Sequence, residues 1–113
     1  MPIINLDSPT AVDELLLRDR AWLMKHSNSC SISGEALAEI DRYLGEHPDE
    51  VLGQVVVQTH RPISNLIAQK LHAVHQTPQI FLLIGGKPVW QASHWAITAD
   101  ALAAAAARFP AAS

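Results

Sequence analysis

With 113 residues and a 49% hydrophobic composition, the chain can bury one core, which excludes a disordered tail. Its net charge of −3, with eight scattered Lys and Arg, argues against a nucleic-acid partner. A lone cysteine, no apolar stretch near the roughly 20 residues a bilayer span needs, and a start (Met1–Asp7) without a signal-peptide pattern point to a cytoplasmic protein with no membrane partner, folded as a single domain over residues 1–113.

Ser8-Pro9 predicts a helix start, with a hydroxyl cap, proline in the first turn, and Val12, Leu15 and Leu16 on the buried side. Ala21 to His26 reads as an apolar strand ending in the Ser27-Asn28-Ser29 loop. From Ser31 the period becomes helical, placing Ile32, Ala36, Leu37, Ile40, Tyr43 and Leu44 on one face until His47-Pro48 stops it. Val51 to Thr59 is a β-branched run with the character of a buried strand. His60-Arg61-Pro62 then turns into a helix with Ile63, Leu66, Ile67, Leu71 and Val74 on its apolar side. Gln79 to Ile84 is a second apolar strand, Gly85-Gly86-Lys87 a hairpin signal, and Pro88 to Ala92 the return strand. Thr98 caps a last helix over Ala99 to Arg108. The order αβαβαββα predicts an α/β fold, a mixed sheet with a parallel crossover and a C-terminal β-hairpin, and helices on both faces.

Cys30 stands where the first strand gives way to the second helix. A helix N-terminus places unpaired N–H groups and a positive dipole beside the sulfur, which favours thiolate over thiol. The polar neighbours Asn28, Ser29 and Ser31 argue against the deep burial of an inert cysteine. Ser33 occupies the place where a dithiol site would carry its second cysteine, so the site is monothiol. Thr77-Pro78, before the second apolar strand, is a candidate cis peptide; an ordinary trans proline opening a strand fits the spacing as well. In this topology the Thr77 backbone can pair with an extended substrate segment. A helix-terminal thiol opposite an X-Pro is how thioredoxin-like folds build a redox site.

Four separated stretches carry a family resemblance: Lys25 to Ser33, His60 to Asn65, Thr77 to Gln79, and Ser93 to Thr98. Over about residues 8–109 the chain resembles the monothiol bacilliredoxins, thioredoxin-fold proteins linked to the bacillithiol system of bacteria. The resemblance implies that Cys30 is the redox-active cysteine, Pro78 the cis-proline opposite it, and Ser33 the replacement for a resolving thiol. The chain departs from the family at Ser31, where proline usually follows the cysteine; the serine keeps an N–H beside the sulfur.

Strands running toward Cys30 end at Lys25-His26, at His60-Arg61 and, after the hairpin returns, at Ser93-His94-Trp95. This gathers Lys25, Arg61 and two or three imidazoles at one sheet edge. Bacillithiol carries a malate with two carboxylates, which suits a bidentate Arg61, with Lys25 as a second cation. For Arg61 alone a solvated surface role fits equally, and Lys25 can be an ordinary strand-end charge. His26 and His94 can stabilise a thiolate or protonate a leaving thiol, or simply pack with a hydrogen bond. Thr77, Arg61, Lys25, His26, Ser31 and His94 are thus the candidate substrate contacts. The six histidines show no metal-binding spacing.

The resemblance implies a monothiol thiol–disulfide oxidoreductase acting on S-thiolated client proteins, with bacillithiol or a similar small thiol as co-substrate and no tightly bound cofactor. Two alternatives stand beside it. One is a glutaredoxin-like iron–sulfur cluster carrier, although Cys30-Ser31-Ile32-Ser33 lacks the glycine-phenylalanine pair of such carriers. The other is a non-catalytic thioredoxin-like binding module, which requires a buried or high-pKa Cys30.

Overall fold

The computed structural model describes residues 3–110. Strands β1 (Ile3–Asn5), β2 (Arg20–His26), β3 (Leu52–Val56), β4 (Gln79–Ile84) and β5 (Lys87–Ser93) alternate with helices α1 (Pro9–Leu16), α2 (Ser31–Glu46), α3 (Arg61–Leu71) and α4 (Ala99–Arg108). They form one sheet in the order β1-β3-β2-β4-β5. β1 and β2 run parallel to β3, while β4 runs antiparallel to both β2 and β5. No helix among the described residues is long and apolar enough to cross a membrane.

Alternation along the central strands divides the core into two layers. Trp22 and Met24 of β2, with Ile80 and Leu82 of β4, pack under α2 and α4 against Ile40, Tyr43, Leu44 and Leu102. Ala21 and Leu23, with Phe81 and Leu83, pack under α1 and α3 against Val12, Leu15, Ile63 and Ile67. Both strands are covered on both faces, which is why they read as continuous apolar runs.

The element ends follow their local chemistry. Ser8 Oγ accepts from the Ala11 N–H at 3.1 Å, and Thr98 Oγ1 accepts from the Ala101 N–H at 3.1 Å, capping α1 and α4. Gly85 and Gly86 turn the β4–β5 hairpin with φ of 56° and 78°, the left-handed pair a two-residue turn needs. A Cβ on Gly86 would meet the Leu16 carbonyl oxygen at 2.5 Å, so glycine is also required sterically.

Two expectations change. β1 pairs with β3 as an additional edge strand, in register from Ile3↔Leu52 to Asn5↔Gln54. The β-branched run is strand only over Leu52–Val56. Beyond it the chain turns, the Val57 N–H bonding the His26 carbonyl and the His60 N–H the Val56 carbonyl.

At one end of the sheet, Glu50 accepts from Arg20 Nη1 at 2.8 Å, Tyr43 Oη at 3.0 Å and Trp22 Nε1 at 3.2 Å. This partly buried cluster ties α2 and the following loop to the start of β2. Burial first, and then the neighbouring Glu50, push the Tyr43 phenol up to about 12. The opposite end, where β2 and β3 finish and β4 begins, carries Cys30.

Candidate active site

Cys30 is the residue that caps α2, held in extended backbone geometry (φ −116°, ψ 122°), and it is partly exposed. Its carbonyl accepts the Gly34 N–H at 3.2 Å, closing the first turn, and its side chain makes no capping bond. The sulfur thus sits at the end of a 16-residue helix where backbone N–H groups lack intrahelical partners. Ser31, the first residue of α2, is exposed and has no side-chain hydrogen bond among the described residues.

The loop before the cysteine is tied down from two sides. From below, Ser33 Oγ accepts the Ser27 N–H at 2.9 Å and lies 2.9 Å from His26 Nδ1. The consistent assignment has the Ser33 hydroxyl donating to Nδ1, leaving the ring proton on Nε2. Burial lowers the pKa of His26, which favours the neutral ring this bond requires. From beside it, Gln58 grips the loop with three bonds. Its Oε1 accepts the Asn28 N–H at 3.1 Å, and its Nε2 donates to Ser29 Oγ at 2.9 Å and to Ser27 Oγ. Nothing in the local sequence singles out Gln58.

At the same end of the sheet as Cys30, β4 opens with a cis Thr77–Pro78 peptide bond. The pairing of Gln79 with Lys25 puts this bond beside the end of β2. Gln79 is buried and shapes the approach: its Oε1 accepts the Gln76 N–H at 3.2 Å, and its Nε2 donates to the Val74 carbonyl at 3.2 Å and to Gln91 Oε1 at 3.0 Å. The Pro78 carbonyl accepts the His94 N–H at 3.1 Å, fastening β5 to the same loop. The Thr77 backbone N–H and C=O have no protein partner among the described residues, leaving both open to an extended segment.

The remaining candidates divide. Arg61, the first residue of α3, is exposed and makes no salt bridge among the described residues. His94 is exposed, with φ 54°, and with the 64% exposed Trp95 it borders a groove of about 360 Å³ between α2 and the turn after β5. Ile32, Ala36 and Ile97 line its apolar side, and Glu35 and Glu39 its acidic one. Two expectations are corrected. His26 is 8% exposed and engaged with Ser33, so it supports the first turn of α2 and does not face a substrate. Lys25 is 0% exposed, because strand alternation turns it under the loop before β4, where Nζ lies 2.9 Å from His75 Nδ1. It cannot touch a substrate directly.

A thiol at the start of the helix that follows β2, a cis X-Pro bond opening the adjacent β4, and this strand order are features of the thioredoxin fold, and comparison with solved structures agrees. A protein described as a candidate oxidoreductase with a thioredoxin fold is 31% identical, matches at a TM-score of 0.86, and covers 91% of this chain and 92% of its own. A mutant thioredoxin of Halobacterium salinarum (14% identity, TM-score 0.77, covering 99% and 94%) is similar in fold. So is oxidised mitochondrial thioredoxin 3 of Saccharomyces cerevisiae (15% identity, TM-score 0.76, 95% of each chain). Residues 4–102 match the family model described as monothiol bacilliredoxin BrxC, and the chain belongs to that family. Family and fold together assign it a thiol redox role.

Proposed function

We propose that this chain is a monothiol thiol–disulfide oxidoreductase that removes bacillithiol, or a related small thiol, from protein mixed disulfides through Cys30. The observation that carries this reading is Ser33. It fills the resolving position with a buried hydroxyl bonded to Ser27 and His26, so Cys30 works without an internal partner.

The Cys30 thiolate attacks the small-thiol sulfur of a client mixed disulfide. A new S–S bond forms at Cys30, the client S–S bond breaks, and the client cysteine leaves with the electron pair and takes up a proton. The client segment lies along the open Thr77 backbone, with the groove beside His94 and Trp95 extending that surface. A second molecule of small thiol, as thiolate, then attacks the outer sulfur of the adduct. Cys30 is released as thiolate and the small thiol departs as its symmetrical disulfide. The client mixed disulfide is exchanged for the symmetrical disulfide with one free small thiol consumed, so no resident cofactor is needed. A reducing cytoplasm supplies the co-substrate and suits a lone thiol.

The test uses a cysteine peptide carrying bacillithiol as a mixed disulfide, with reduced bacillithiol in excess. The chain should speed release of the free peptide thiol well beyond the rate with bacillithiol alone, and Cys30→Ser should return it to that background. Equal rates with and without the chain would contradict the proposal.

A further inference from the structure

Lys25 carries a buried ammonium with no carboxylate paired to it: none of the salt bridges among the described residues involves Lys25 or Arg61. A charge taken out of water without a counter-ion is costly. The neighbours of Lys25 offer no negative charge. Its strand partners are Val55 on β3 and Gln79 on β4. From α3 comes Ser64, whose hydroxyl lies 3.5 Å from His75 Nδ1, and the Arg61 charge bears on the same imidazole. The loop before β4 contributes only His75.

The hydrogen bonds lead outward from this buried charge. An ammonium is a donor only, so Lys25 Nζ donates to His75 Nδ1 at 2.9 Å and the ring proton resides on Nε2. Nε2 then donates to Thr77 Oγ1 at 3.1 Å, which leaves the Thr77 hydroxyl proton free to point away. Burial first, and then the Lys25 and Arg61 charges, lower the His75 pKa, favouring the neutral ring this chain of donors requires. The chain ends beside the open Thr77 backbone, on the same sheet edge as the Arg61 guanidinium and the positive end of α3.

We propose that Arg61 and the Thr77 hydroxyl, polarised through His75 by the buried Lys25 ammonium, receive a carboxylate of the small thiol that exchanges at Cys30. Lys25 and His75 are positioning residues here, and the carboxylate supplies the missing negative charge. This rests on the exchange chemistry proposed above and adds the residues that read the thiol's carboxylate.

The experiment measures adduct formation on Cys30 by two probes, oxidised bacillithiol and the neutral disulfide of 2-mercaptoethanol, in the unaltered chain and in Lys25→Met and Arg61→Ala. The ratio of the two rates removes effects on the sulfur itself. It should favour bacillithiol in the unaltered chain, fall about tenfold in Arg61→Ala, which loses a charged hydrogen bond, and fall by a smaller factor in Lys25→Met, where the Thr77 hydroxyl remains but is no longer polarised. Burial lowers the Lys25 pKa to about 8. The preference should therefore decline as pH rises through about 8 and Lys25 loses its charge, and that step should be missing in Lys25→Met. In the unaltered chain, nitrogen NMR at neutral pH should show His75 Nδ1 unprotonated. Equal ratios in all three proteins, or a protonated Nδ1, would overturn the receptor. A Cys30 that reacts with neither probe would instead overturn the exchange chemistry.

Discussion

Ser33→Cys should convert the chain from one that accumulates a mixed disulfide to one that closes its own. Cys30 caps α2 and Ser33 lies three residues on, within the same first turn. In such a turn the capping side chain and the third residue lie close, the arrangement that Cys-x-x-Cys redox pairs use. Ser33 is 0% exposed, so a thiol there is shielded from solvent but aimed at the loop that carries Cys30. Once Cys30 takes up a small thiol, the new cysteine can attack Cys30 and expel it. Intact mass after treatment with oxidised bacillithiol should show the loss of two hydrogens in Ser33→Cys, where the unaltered chain shows a retained adduct. A sulfur is a weaker hydrogen-bond partner than the serine hydroxyl for His26 and the Ser27 N–H, so the reduced variant should be somewhat less stable. A lasting adduct on folded Ser33→Cys would show that position 33 does not face the sulfur.

Lys25→Met should stabilise the fold while harming discrimination between thiols. In the unfolded chain Lys25 titrates at its ordinary 10.5, whereas burial brings it to about 8 in the folded state. The folded-state pKa is lowered, so the unfolded state binds the proton more tightly. The cost is fully present below pH 8, where both states are charged, and is relieved as pH rises toward 10.5. At roughly 1.4 kcal/mol per unit, the cost at pH 7 approaches about 3 kcal/mol. Methionine keeps an unbranched apolar stem of similar length and carries no charge, and the exposed His75 ring can turn to water. Denaturant unfolding at pH 7 should show Lys25→Met more stable by about 1–3 kcal/mol, with the gap narrowing by pH 10. An equal or less stable variant at pH 7 would contradict the uncompensated charge.

Both predictions depend on features legible to different degrees in the sequence. The bounds of α4 follow from Thr98, a side-chain cap, and a run of alanines, because both are local. The stop of α2 at His47-Pro48, the Gly85-Gly86 turn and the two-layer order follow in the same way. β1 carries no such signal, since three residues cannot display a period and its pairing depends on β3, some fifty residues away. Val55 to Val57 is β-branched without a break, yet only the sheet edge decides that the ladder ends at Val56.

The site divides along the same line. Cys30, Ser33 and Thr77-Pro78 are visible because each marks the beginning of an element. The direction of Lys25 is not, since it requires knowing which face of β2 lies under α3 and what covers it. What covers it is His75, fifty positions along, in a loop whose shape is set by the buried Gln79. Gln58 and its grip on the Ser27–Ser29 loop likewise arise only from the adjacency of β2 and β3. Contacts within one turn are readable in sequence; contacts between strand ends require the assembled sheet.

The most direct test of a monothiol cycle is the intact mass of the chain after incubation with oxidised bacillithiol and again after excess reduced bacillithiol. The mass should rise by one bacillithiol, located at Cys30 and absent in Cys30→Ser, and then return to its starting value. No adduct on the native chain, or an adduct that reduced bacillithiol cannot release, would contradict the account.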